Sequence, residues 1–274
     1  MLHLLKKIFI TLLITNTQLI AGIDEKNQWE RIKFEGRDAF IVMPKKHAKS
    51  NIPWIMYAPT LKGLPNERDE GWMIDKFLEA GIAISGINVG ESYGNPEGRK
   101  IYTKFHDFLT KKKNFSQKAS LLARSRGGLM LYNWAAENPE KVKCIAGIYP
   151  VCNLSSYPGL NRAAPAYKMT ESELAKKLHL HNPIDKLKPL AEASIPIFHI
   201  HGNVDRVVPL KLNSGIISKR YKMLGGKMQL TVPEGQGHNM WEGFFKCKEL
   251  VDFVINSSKK PSKNNSEGEK PKQG

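Results

Sequence analysis

Lys118 to Val142 reads KASLLARSRGGLMLYNWAAENPEKV, and this stretch decides the fold. It starts as a buried strand, Ala119 to Ala123, turns sharply through Ala123-Arg124-Ser125-Arg126-Gly127, and continues as a helix ending near Asn138-Pro139. A serine at such a junction takes a strained backbone conformation, so small residues must flank it two positions away on either side. Gly127 and Gly128 meet this on one side, and on the other a methyl group, Ala123, stands where the pattern usually has glycine. The strand before and the helix after make Ser125 a candidate nucleophile rather than a capping serine.

Working outward, short apolar runs alternate with helix-length amphipathic segments, the pattern of a mostly parallel sheet covered by helices on both faces. The spacing predicts buried strands at Trp54 to Ala58, Ile82 to Ile87, Cys144 to Tyr149, Ile197 to Ile200 and Met228 to Val232. Before them, WERIKFEGRDAFIVMP reads as two antiparallel strands around a turn at Glu35 and Gly36. The fold class is therefore α/β, in one domain over 23–256. Residues 153–193 interrupt the rhythm with Ser, Pro and Asn clusters and one helical stretch that begins with Thr170 and Glu173 in capping-box spacing, as a small cap insertion would. From 257 to 274 the chain is polar and rich in Lys, Ser and Pro, a disordered basic tail in expectation.

Residues 1–22 place Lys6 and Lys7 ahead of the apolar run Ile8 to Ile14 and then reach the small residues Ala21 and Gly22, the order of a signal peptide. The run falls short of the roughly 20 apolar residues of a membrane span. The expected location is secreted or periplasmic, with no stable span after cleavage. Three cysteines, Cys144, Cys152 and Cys247, allow at most one intramolecular disulfide, and Cys144 opens an apolar run as a core residue does. The formal net charge is +16, but part of the excess sits in the two termini and no nucleic-acid-binding signature accompanies it, so nucleic acid is not an expected partner.

A serine hydroxyl needs a base within hydrogen-bond reach and a group to orient that base. Asp205 follows the strand Ile197 to Ile200, and His238 follows the strand ending at Val232. Parallel strands bring their C-terminal ends to one sheet edge, where Ser125, Asp205 and His238 can converge. Asp185 is a weaker candidate because it precedes its strand.

The elbow, the stretch H-G-x-x-D-x-x-V-P (201–209) and the stretch G-H-x-x-W (237–241) resemble the α/β-hydrolase superfamily, in particular its prolyl-oligopeptidase-like and dienelactone-hydrolase-like branches. The resemblance covers roughly Asn27 to Ser257. It implies a catalytic triad of Ser125, His238 and Asp205, acting without a cofactor. It also implies an oxyanion hole from the backbone N–H of Arg126 and one from the loop after Trp54 to Ala58. Pro59 has no N–H, so Thr60 or Leu61 is the second donor.

Arg124 and Arg126 flank the nucleophile and suit an anionic substrate, unless they pair with protein acids such as Glu91 or Asp107. Arg124, Glu91, Ser92 and Trp241 are the expected substrate-binding residues. The G-E-S-Y-G run around Ser92 is no second elbow, because Gly94, Asn95 and Pro96 follow instead of a helix, and Ser92 is expected to line the pocket or cap the helix beginning near Glu97. His179 with His181 and His199 with His201 lack supporting carboxylate or thiolate ligands, so no metal is expected, and His201 reads as a packing and hydrogen-bonding residue. The expected activity is cleavage of a small ester or an acylated saccharide. A small exported serine peptidase is the alternative enzyme, and a non-catalytic binding protein on the same fold the alternative of another class.

Overall fold

A computed structural model describes residues 23–24 and 29–259. The expected signal segment and most of the expected tail lie outside the described residues. The tail boundary moves, because the last helix, Lys248–Lys259, runs past Asn256.

The strands are β1 (Ile23–Asp24), β2 (Trp29–Phe34), β3 (Arg37–Val42), β4 (Trp54–Ala58), β5 (Ala83–Ile87), β6 (Ala119–Arg124), β7 (Val142–Ile148), β8 (Ile197–Ile200) and β9 (Met228–Thr231). They form one sheet in the order β1-β2-β3-β5-β4-β6-β7-β8-β9. β1, β2 and β3 pair antiparallel, as does β3 with β5, and every pairing from β5 to β9 is parallel. The C-terminal ends of β4 to β9 therefore share one edge.

Alternate residues of each central strand feed two different cores, which is why these strands are apolar throughout. In β4, Trp54, Met56 and Ala58 join one core while Ile55 and Tyr57 join the other. On the first face lie α2 (Pro96–Lys112), α3 (Gly127–Glu137) and the helix Ser214–Met223, through Tyr102, Phe105, Trp134, Ile217 and Tyr221. On the second lie α1 (Glu67–Glu79) and the helix Lys248–Lys259, through Met73, Phe77, Leu250 and Val254. Each large apolar side chain so buried contributes about 1.5–3 kcal/mol.

Helix α3 is buried all round, from Gly127 to Ala136. Its outer side is covered by the 153–193 segment, whose Leu154, Ala163, Tyr167 and Leu174 pack with Leu129 of α3 and with Val208. The capping box forms as expected: Thr170 accepts from the Glu173 N–H while Glu173 accepts from the Thr170 N–H. Asn213 pins the segment's start, its Oδ1 accepting from the N–H groups of Cys152 (2.8 Å) and Asn153 (3.1 Å). All three cysteines are buried and free. No helix of the described residues is long and apolar enough to cross a membrane.

Candidate active site

Ser125 sits between β6 and α3 with φ +48°, in the left-handed region that a non-glycine residue rarely occupies. Three backbone hydrogen bonds hold it there. Its N–H donates to the Ile148 carbonyl (3.0 Å), and its carbonyl accepts from Gly128 (2.9 Å) and Val151 (2.7 Å). The flanking glycines answer to contact: a Cβ on Gly127 would press into the Ala58 carbonyl, and one on Gly128 into the Val151 carbonyl. Ala123, fully buried in β6, accommodates its methyl in the first core, so the departure from glycine leaves the turn intact.

The three residues expected to converge do so. Ser125 Oγ lies 2.9 Å from His238 Nε2, and His238 Nδ1 lies 2.8 Å from Asp205 Oδ2. Asp205 Oδ1 accepts from the N–H groups of Val207 (2.9 Å) and Val208 (2.8 Å), which fixes the carboxylate. Burial opposes ionisation of Asp205, but hydrogen bonds from His201, His238 and the Val208 N–H outweigh it and hold the carboxyl well below its ordinary range. The Tyr149 ring backs the His238 imidazole at a centroid distance of 4.3 Å.

Behind Asp205 runs a buried chain of side chains. His201 Nε2 lies 2.8 Å from the Val208 carbonyl and 3.3 Å from Asp205 Oδ2. Both of those oxygens only accept, so His201 carries a proton on Nε2. Its Nδ1 then accepts from Ser214 Oγ (2.8 Å), and Ser214 in turn accepts from His199 Nδ1 (2.9 Å). His199 Nε2 finally accepts from Tyr132 O–H (2.7 Å). One orientation of protons satisfies all of it, and burial helps to keep His199 neutral by holding its pKa at about 3. The chain ties α3 to the loop that carries the acid. Ser214→Ala removes its middle link and is expected to lower kcat about tenfold with KM unchanged, measured by steady-state kinetics on a chromogenic ester.

Of the expected oxyanion donors, the N–H groups of Arg126, Thr60 and Leu61 donate to no described residue, so all three are available. Thr60 and Leu61 line a neighbouring cleft, while Pro59 and Leu64 of the same loop line the one at Ser125.

That cleft holds about 150 Å³ and is walled by Pro59, Leu64, Arg124, Arg126, Tyr149 and His238, with Asn239 and Met240 at its rim. Three of the four expected substrate residues are not in its wall. Ser92 is buried, with its Oγ accepting from the Gly94 N–H at 3.3 Å, and it does not cap α2 either: Asn95 does, accepting from the Gly98 N–H at 2.7 Å. Trp241 packs edge-on against Phe244 at 5.3 Å, and Met240 takes the place expected for it. Glu91 lies outside the wall as well and pairs with Arg126 (3.0 Å).

Arg124 reaches the cleft but is already committed. Its Nη1 donates to Glu70 Oε2 at 2.9 Å, and its guanidinium lies 5.0 Å from the Phe245 ring centroid. Glu70, on α1 and 1% exposed, also accepts from Tyr57 O–H (2.8 Å) and from the Asn66 N–H (2.6 Å). Burial raises the Glu70 pKa, against the pull of Arg124. Removing one partner strands the other charge, so Glu70→Ala is expected to reduce stability by about 3 kcal/mol, read from urea denaturation. The sequence offered no sign of this pair, which joins residues 54 positions apart.

No family model matches the sequence, and no curated protein matches it. Solved structures do match in fold. An S-formylglutathione hydrolase from Agrobacterium tumefaciens superposes with TM-score 0.67 at 14% identity, over 85% of this chain and 94% of that one. A truncated carbohydrate esterase from gut microbiota gives TM-score 0.62 at 18% identity, over 81% and 91%. A dipeptidyl aminopeptidase IV assignment from Bacteroides ovatus gives TM-score 0.66 at 15% identity over 84% of this chain, which spans only 35% of that protein. The chain has the α/β-hydrolase fold.

Proposed function

We propose that the protein is an exported serine hydrolase that cleaves a carboxylic ester through an acyl-enzyme on Ser125. The observation that carries this is the unbroken hydrogen-bonded path from Ser125 Oγ through His238 to Asp205, with Ser125 held at positive φ on the elbow. His238 Nε2 takes the Ser125 proton as Oγ attacks the ester carbonyl, and Asp205 holds the imidazole with its proton on Nδ1. The resulting oxyanion is met by the Arg126 N–H and one N–H of the Thr60–Leu61 pair. His238 then protonates the departing alcohol and activates the water that frees the acid.

The small cleft at Ser125 suits the reacting end of an acyl group. The edge beyond His238 is open, with Met240 and Trp241 exposed, and admits a large alcohol such as a saccharide. The similar structures include esterases and peptidases alike, so the ester reading rests on the small cleft at Ser125 and the open edge beyond His238. Export rests on the order of residues in 1–22.

A fluorophosphonate probe is expected to label the wild type and not Ser125→Ala, and 4-nitrophenyl esters are expected to be hydrolysed faster than peptide 4-nitroanilides. The reverse preference would favour the peptidase reading. A folded wild-type protein that stays unlabelled and inert would leave a binding protein on this fold.

A further inference from the structure

A second cleft, larger than the one at Ser125, lies beside it. It holds about 390 Å³ and lies at the same edge of the sheet, across the 59–65 loop, with Leu64 lining both. Trp29 and Phe40 from β2 and β3 form its floor, and Thr60 to Pro65 form the wall it shares with the nucleophile. No residue of the His238 loop borders it.

Its charges are arranged differently from those around Ser125. Arg124 and Arg126 are taken up by Glu70 and Glu91. Arg31 and Lys62, in the wall of the larger cleft, make no ion pair with any described residue, and Arg31 only lies over the Trp29 ring at 5.6 Å. Asp38, the acid of that wall, is paired across the hairpin with Lys33 at 2.6 Å. The cleft thus carries two uncompensated cations above an aromatic floor.

We infer that this cleft binds the distal part of the acyl group, and that the preferred acyl group ends in a carboxylate held by Arg31 and Lys62. The inference rests on the ester-hydrolase reading of Ser125. Direction follows from that chemistry: the alcohol leaves on the side of its proton donor, His238, so the acid part runs the other way, past Leu64. Its methylene chain covers Trp29 and Phe40, and the guanidinium and ammonium groups supply charge-assisted hydrogen bonds to its end. The anion recognition that sequence reasoning placed on Arg124 falls instead on residues 31 and 62.

Binding tests this without relying on turnover. Ser125→Ala protein is titrated calorimetrically with methyl hydrogen adipate and with methyl hexanoate, which differ in the terminal carboxylate. The adipate monoester is expected to bind about tenfold more tightly, and the preference is expected to vanish when Arg31→Gln and Lys62→Gln are added. The charge-preserving pair Arg31→Lys and Lys62→Arg retains most of it, which separates loss of charge from loss of fold. Equal affinity for the two esters, or a preference that survives both glutamines, overturns the inference. Turnover is scored separately: a selective Ser125→Ala protein alongside a wild type inert to every ester sinks the hydrolase reading and leaves the anion site standing. Ester turnover without carboxylate preference does the opposite.

Discussion

Ser125→Ala is expected to lower kcat on 4-nitrophenyl acetate by four to six orders of magnitude while leaving KM within a few-fold. The size follows from the unity of the site. Without Oγ there is no acyl-enzyme, so the His238–Asp205 pair has nothing to activate but water, and only the backbone donors and substrate binding remain; such remnants give about 10³–10⁴ over the uncatalysed reaction. The change is nearly silent for folding. Alanine inherits the same φ of +48° and the same three backbone hydrogen bonds, so neither the strain nor its supports are altered. Far-UV circular dichroism and the urea midpoint are expected to match the wild type. A variant that keeps more than about 1% of kcat would show that another group performs the attack.

The elbow was legible because its constraints are local. A fully buried strand needs an uninterrupted apolar run, a left-handed serine needs small neighbours, and a helix must follow at once, all within Ala119 to Glu137. Strand positions were legible for the same reason, and their ends shifted where a neighbour claims the terminal residue. Ile82 donates to the Phe77 carbonyl at the close of α1 rather than joining β5. The cap of α2 could have been read: Asn95 directly before Pro96 is a stronger helix start than Ser92. The Glu70–Arg124 pair could not, because it depends on how α1 lies against the end of β6, a tertiary fact with no local signature. The same holds for Tyr149, which reaches His238 only because β7 ends beside the β9 loop.

Asp205→Asn is expected to reduce kcat by about 10⁴ with little change in fold, through a reversed tautomer. The side-chain oxygen of the asparagine stays with the N–H groups of Val207 and Val208, the stronger demand, since two donors already point there. Its amide nitrogen then faces His238 Nδ1, where the carboxylate oxygen had been. An N–H donor at that place turns Nδ1 into an acceptor and moves the imidazole proton to Nε2, so that His238 can no longer take the proton of Ser125. The same amide confronts His201 Nε2–H, which cannot reverse: its proton is fixed by the Val208 carbonyl and by the chain through Ser214, His199 and Tyr132. Loss of the downfield Nδ1–H resonance of His238 in proton NMR, together with the fall in kcat, tests this tautomer account. Stability supplies a second check with a definite sign. Because the folded-state pKa of Asp205 is depressed, its contribution is present above the unfolded value of about 3.9 and is lost as pH falls through the folded value. Asparagine has no such term. The difference in unfolding free energy between wild type and Asp205→Asn is therefore expected to narrow as pH falls below about 4.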